Sequence, residues 1–169
     1  VREVERLISV QCEHFRVTLL VDVPEGAAWE IADADGFRTA VLNLALNALE
    51  AAGEGGRVEI VVLPERESNE DELPAESASD NRLYQRAIAV EVRDSGDGPA
   101  SEISDSLFEP FVTSKPEGVG LGLALAKSAA ETAGGKLSWE RRDGLTVFRF
   151  SVPAQQVAAK LEFSSREVS

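Results

Sequence analysis

Three glycines at alternate positions, Gly118, Gly120 and Gly122, close the segment Phe108 to Leu123, F-E-P-F-V-T-S-K-P-E-G-V-G-L-G-L, and lead into a helix-forming run. Glycine lets the backbone take positive φ and lets a ligand approach the main chain closely. A helix start presents unpaired N–H groups and a positive dipole end, so it suits phosphate. Lys115, just ahead, adds a compact point charge. The segment reads as a phosphate-binding loop. Alternating glycines also occur in ordinary flexible loops, so the flanks must supply the rest of any site.

Two further stretches carry chemistry. In A-D-G-F-R-T-A-V-L-N-L-A-L-N-A-L-E-A-A, residues 34–52, a placement at 100° per residue puts Phe37, Val41, Leu44, Ala45, Ala48 and Leu49 on one broad apolar side. Asn43, Asn47 and Glu50 fall on a narrow polar side. Asparagine is a poor interior helix residue. The pair is either a solvated stripe or a set of amide oxygens lining a site, and an oxygen ligand suits Mg²⁺. The second stretch is Asp94-Ser95-Gly96-Asp97-Gly98-Pro99 at the end of a strand. It makes a tight turn. Its carboxylate is also placed to accept a hydrogen bond from an exocyclic amine such as adenine's, with the glycines making room for a ring.

The elements that must position these residues follow from patterning. Residues 1–14 are predicted helical, with Val4, Leu7, Ile8 and Cys12 near helical spacing. Residues 16–23 alternate as a strand, and Trp29 and Ile31 form a short extended piece. The helix over 34–52 ends at Gly53 to Gly56. Strands are predicted over 57–63, 86–93, 136–141 and 145–152, and a helix over about 120–133 ending at Gly134-Gly135. Residues 64–82 hold seven acidic and two basic residues and read as a flexible loop joining a long hairpin. Residues 100–117 are mostly loop, which Phe108 and Phe111 are expected to pin to the body. Residues 154–169 read as a polar tail.

Bulk properties set limits. The 169 residues fit one domain with a sizeable core, and 43% hydrophobic content is not that of a disordered chain. A net charge of −13 argues against a nucleic-acid surface. Cys12 is the only cysteine, which rules out an internal disulfide and fits a reducing, cytoplasmic setting. No apolar run is long enough to span a membrane, so no membrane contact is expected from this segment, although a membrane anchor elsewhere in a longer protein is compatible with it.

The order N-L-A-L-N-A-L-E-A, then D-S-G-D-G, then F-E-P-F-V-T-S-K, then G-V-G-L-G-L-A-L resembles the ATP-binding catalytic domain of bacterial sensor histidine kinases, in the superfamily that includes gyrase, a heat-shock chaperone and the MutL repair proteins. The glycine segment looks like the nitrogen-regulation subgroup. The likeness covers about residues 1–153. It implies an α+β, two-layer sandwich of the Bergerat type, with a mixed, mostly antiparallel sheet covered on one face by about three helices. It implies ATP and Mg²⁺ as cofactors. Asn47 matches the Mg²⁺-ligating asparagine, and Asn43 a contributor near metal and phosphates. Asp94 matches the acceptor of the adenine amine, with Gly96 and Gly98 giving the base its space. Thr113 and Lys115 lie on the nucleotide lid, and Lys115 is placed to reach a phosphate. Gly118, Gly120 and Gly122, with the amides of Val119 and Leu121, hold the β- and γ-phosphates. Thr146 or Val147 lies near the adenine, the register being open.

ATP-hydrolysing members of the superfamily carry a glutamate where this chain has Asn43. An amide cannot take a proton from water. Glu50 shares the face but sits about 10 Å further along the helix. The resemblance therefore implies γ-phosphoryl transfer to a histidine on a separate dimerisation domain, with a response regulator downstream, by a domain that is monomeric in isolation. His14, in Q-C-E-H-F-R, lacks the family's acceptor pattern and reads as a structural or surface residue. The helix over residues 1–14 would follow the acceptor hairpin as the end of a linker. A second reading is a nucleotide-dependent binding module of the anti-sigma or degenerate regulatory type. The asparagine at position 43 and the F-E-P-F element favour the first.

Overall fold

The computed structural model describes residues 1–24, 27–66, 86–113 and 118–158. In chain order the elements are α1 (Arg2–Phe15), β1 (Thr18–Asp22), β2 (Ala27–Glu30), α2 (Ala34–Ala52), β3 (Arg57–Arg66), β4 (Arg86–Asp94), a 3-10 turn (Ser104–Ser106), α3 (Gly122–Thr132), β5 (Lys136–Arg142), β6 (Leu145–Pro153) and β7 (Gln155–Ala158). Five strands form one sheet in the order β1-β3-β4-β6-β5. The β1–β3 pair is parallel and the other three pairs are antiparallel. The three helices cover one face, α2 in the middle, against both α1 and α3. This is the expected two-layer α+β sandwich.

The face α2 turns to the sheet follows from its sequence. Val41, Leu44, Ala45, Ala48 and Leu49 recur at helical spacing and are buried. Each large one contributes about 1.5–3 kcal/mol. Asp33 starts the helix, its side chain accepting from Gly36 N–H at 2.8 Å. On the sheet, Ile60, Val90, Val92, Phe148 and Phe150 alternate inward. α1 contributes Val4, Ile8 and Cys12 to the same core and is thereby part of the helical layer. Leu7, predicted on that side, is exposed. No helix among the described residues is long and apolar enough to cross a membrane.

Two boundaries differ most from expectation. β3 runs three residues further, to Arg66, carrying Pro64 opposite Ile88. A proline is tolerated there because β1 pairs with β3 only as far as Val61, and among the described residues no strand pairs with that edge beyond it. Residues 67–85, which include the rest of the predicted acidic loop to residue 82, lie outside the described residues. The predicted polar tail instead opens with strand β7, which pairs antiparallel with β2, Glu30 opposite Gln155. Residues 159–169 of that tail lie outside the described residues.

The other face of the sheet is polar. Glu91 is buried there at 2% exposure. Its carboxylate accepts from Arg93 and Arg142 at 2.6 Å and from Arg149 at 2.6 Å. Burial works against its charge, but the hydrogen bonds from Arg93, Arg142 and Arg149 outweigh it and hold the carboxyl below its ordinary range. Glu91→Gln is therefore expected to destabilise the fold by about 1–3 kcal/mol at neutral pH. A group whose folded pKa is depressed loses its contribution as pH falls through that lower value. Denaturant melts should show the gap between wild type and Glu91→Gln closing below about pH 4.3. A gap that is constant with pH would contradict this.

Candidate functional site

A cavity of about 550 Å³ opens between α2, the end of β4 and the start of α3. α2 contributes Asn43 and Asn47, one turn apart, and Glu50. Asn43 Nδ2 donates to Thr39 O at 2.9 Å. That leaves its oxygen beside the glycine turn, where a Cβ on Gly122 would lie 3.4 Å from Asn43 Oδ1. The polar stripe of α2 thus faces the cavity rather than bulk solvent alone.

At the other end the wall is a row across the sheet. Asp94 on β4 is the direct partner of Thr146 on β6, and each is 1% exposed. Both line the cavity. This settles the register left open by the sequence, because Val147 belongs to the opposite, polar face with Glu91 and Arg149. Asp94 Oδ1 accepts from Gly96 N–H at 2.9 Å, which shapes the turn. Gly96 lies beneath the cavity rather than in its lining: a Cβ there would stand 2.4 Å from Ala51 O, so only glycine lets this turn pass the end of α2. Gly98 does line the cavity.

The glycine segment closes the third side with Gly118, Val119, Gly120, Leu121 and Gly122. Helix α3 begins at Gly122, two residues later than predicted, so the turn itself precedes the helix. Gly120 has φ +70°, and a Cβ on it would lie 2.6 Å from Phe111 C. Phe111 N–H donates to Gly120 O at 2.9 Å. The F-E-P-F-V strand of sequence and the glycine turn are thereby stitched backbone to backbone. Thr113 also lines the cavity; Lys115 lies outside the described residues.

Phe108 packs edge-on against Phe148 with ring centroids 6.4 Å apart, as expected of a pin. Phe111 does not pin the loop. It is 73% exposed at φ 68°, because its backbone follows the glycine turn and turns the ring outward. Sequence reasoning missed the apolar wall made by Ile103 and Leu107. Its signal was two aliphatics four apart in a stretch read as loop. Asp97 and Pro99, in the turn after β4, also line the cavity.

The arrangement offers amide oxygens and backbone N–H groups at one end and a buried carboxylate beside a hydroxyl at the other. Its size is in the range of small-molecule sites. Comparison with known proteins agrees with that chemistry. A family model described as histidine kinase-, DNA gyrase B- and HSP90-like ATPase matches residues 32–156. The chain is 36% identical over 123 residues to the sensory histidine kinase/phosphatase NtrB of Rhodobacter capsulatus, covering 73% of this chain and 33% of that protein. It is 34% identical over 139 residues to the sensor protein FixL of Bradyrhizobium diazoefficiens, covering 82% of this chain and 24% of that protein. The chain thus spans about a third or less of these relatives. Among solved structures, the catalytic domain of histidine kinase ThkA superposes with a TM-score of 0.66 at 26% identity, over 90% of each chain. The chain belongs to the histidine kinase-, DNA gyrase B- and HSP90-like ATPase family, on its sensor histidine kinase branch, where the nitrogen-regulation subgroup fits it.

Proposed function

We propose that this domain binds MgATP and passes the γ-phosphoryl group to a histidine side chain on a separate phosphoacceptor domain of a two-component system. The observation that carries this reading is the convergence of Asn43, Asn47, Asp94, Thr146 and the turn 118–122 on one cavity. The residues fit the group: a buried carboxylate suits an exocyclic amine, and a glycine turn leading into α3 suits phosphates. Bound MgATP supplies the transferable phosphoryl group and a divalent charge. Asp94 accepts from the base, and Gly98 leaves room for the ring. Asn47 offers an oxygen to the metal, with Asn43 beside it. The N–H groups of Val119 and Leu121 face the phosphates, and Thr113 borders the same cavity. Asn43 orients but takes no proton, so transfer is favoured over hydrolysis; chemistry of this kind rests on positioning and charge neutralisation.

The acceptor side of the reading has its own support. Phe111, Val119, Leu121 and Leu125 are exposed around the glycine turn and the first turn of α3. An apolar patch at the mouth of a site suits a docking partner, here the phosphoacceptor domain, with a response regulator downstream. The test is to mix the domain with a phosphoacceptor-histidine domain and γ-labelled ATP. Acid-labile, base-stable phosphate is expected on the acceptor. Bound ATP with no transfer to any histidine acceptor would instead make this a nucleotide-dependent binding module.

A further inference from the structure

The row at the base end of the cavity continues beyond Asp94 and Thr146. β6 and β5 pair Thr146 directly with Arg141, so three side chains on adjacent strands share one face. The Arg141 guanidinium makes three hydrogen bonds with three of its five N–H groups. Its Nη1 donates to Gly96 O at 2.6 Å and to Thr146 Oγ1 at 2.7 Å, and Nη2 donates to Gly144 O at 2.9 Å. Nη1 carries two N–H bonds, so both of its contacts are made at once. One side chain thereby ties the turn after β4, the β5–β6 hairpin and a buried hydroxyl. Gly98 seats against the same group: a Cβ there would lie 3.1 Å from Arg141 Cδ.

These contacts bias Thr146 toward donating. A hydroxyl has one proton and two lone pairs, and a guanidinium has no acceptor. One lone pair of Thr146 takes the N–H from Arg141, so the hydroxyl proton points elsewhere, and Thr146 borders the cavity. We propose that Arg141 is a positioning residue for base recognition, holding Thr146 as a hydrogen-bond donor beside the acceptor Asp94. The proposal rests on the adenine-nucleotide reading above. An acceptor next to a donor complements the amine and neighbouring ring nitrogen of adenine. It opposes guanine and hypoxanthine, which present a carbonyl and a ring N–H at those positions.

The test compares the affinity of ATP with that of 1-deaza-ATP, which keeps the amine and lacks the ring acceptor. Wild type should prefer ATP by about tenfold, the worth of one hydrogen bond. Arg141→Leu should narrow the ratio to about two- or threefold by weakening ATP alone. Arg141→Lys, which still donates, should restore part of it. Thr146→Val should remove the preference, and adding Arg141→Leu to it should change the ratio no further. A ratio unchanged in Arg141→Leu, whether or not both affinities drop together, would overturn the proposal and leave the adenine reading standing. Wild type that binds neither nucleotide would overturn both.

Discussion

Asp94→Asn is expected to lower ATP affinity about a hundredfold while the domain stays folded. Asp94 is 1% exposed and lies in the cross-strand row with Thr146. Its Oδ1 accepts from Gly96 N–H, a bond that the carbonyl oxygen of asparagine can still make. The turn should therefore survive. What changes is the second oxygen, which becomes an NH₂ group. Where the carboxylate would accept from the base amine, a donor would then meet a donor. A hydrogen bond to a charged group contributes about 1.5–3 kcal/mol, and a buried mispaired donor costs about 1–3 kcal/mol more. At 1.4 kcal/mol per factor of ten, the lower end of that sum gives about a hundredfold. Calorimetric titration with ATP reads the affinity, and a thermal melt checks the fold. Unchanged affinity in a folded Asp94→Asn protein would mean that the carboxylate is not the base acceptor.

Asn47→Ala should cost more in turnover than in binding. Asn47 borders the cavity one helical turn from Asn43, whose oxygen sits beside Gly122. In the proposed function, the Asn47 oxygen is the protein's ligand to the metal. Loss of one preorganised electrostatic contact typically lowers turnover by about 10²–10³. Transfer to an acceptor domain should fall by about that factor. ATP binding measured with a chelator present should stay near wild type, because the amide then has no metal to hold. Wild-type transfer by Asn47→Ala would remove this residue from the mechanism.

The features legible in the sequence were those with a short-range signature. The 3.6-residue period of α2 placed both its buried side and its asparagine stripe. The strands expected over 57–63, 86–93 and 145–152 appear as β3, β4 and β6. The glycines at 118, 120 and 122 marked the turn, although α3 starts only where Gly122 ends it. What was not legible depends on pairing between distant segments. The choice between Thr146 and Val147 is made by the partnership of Thr146 with Asp94, some fifty residues earlier. Strand β7 exists because β2 offers it an edge far away in the chain. Arg141 acquires its contacts only once β5, β6 and the Gly96 turn are assembled, and nothing in K-L-S-W-E-R-R distinguishes it from Arg142. Phe111 has the composition of a core residue, yet the path of the glycine turn against its backbone turns it out.

The most direct test of the central claim is a structure of this domain with Mg²⁺ and a non-hydrolysable ATP analogue. The account predicts the base amine at Asp94, the Asn47 oxygen about 2.1 Å from the metal, and the terminal phosphates against the main-chain N–H groups of residues 118–122. A nucleotide bound outside this cavity, or a metal held without Asn47, would contradict it.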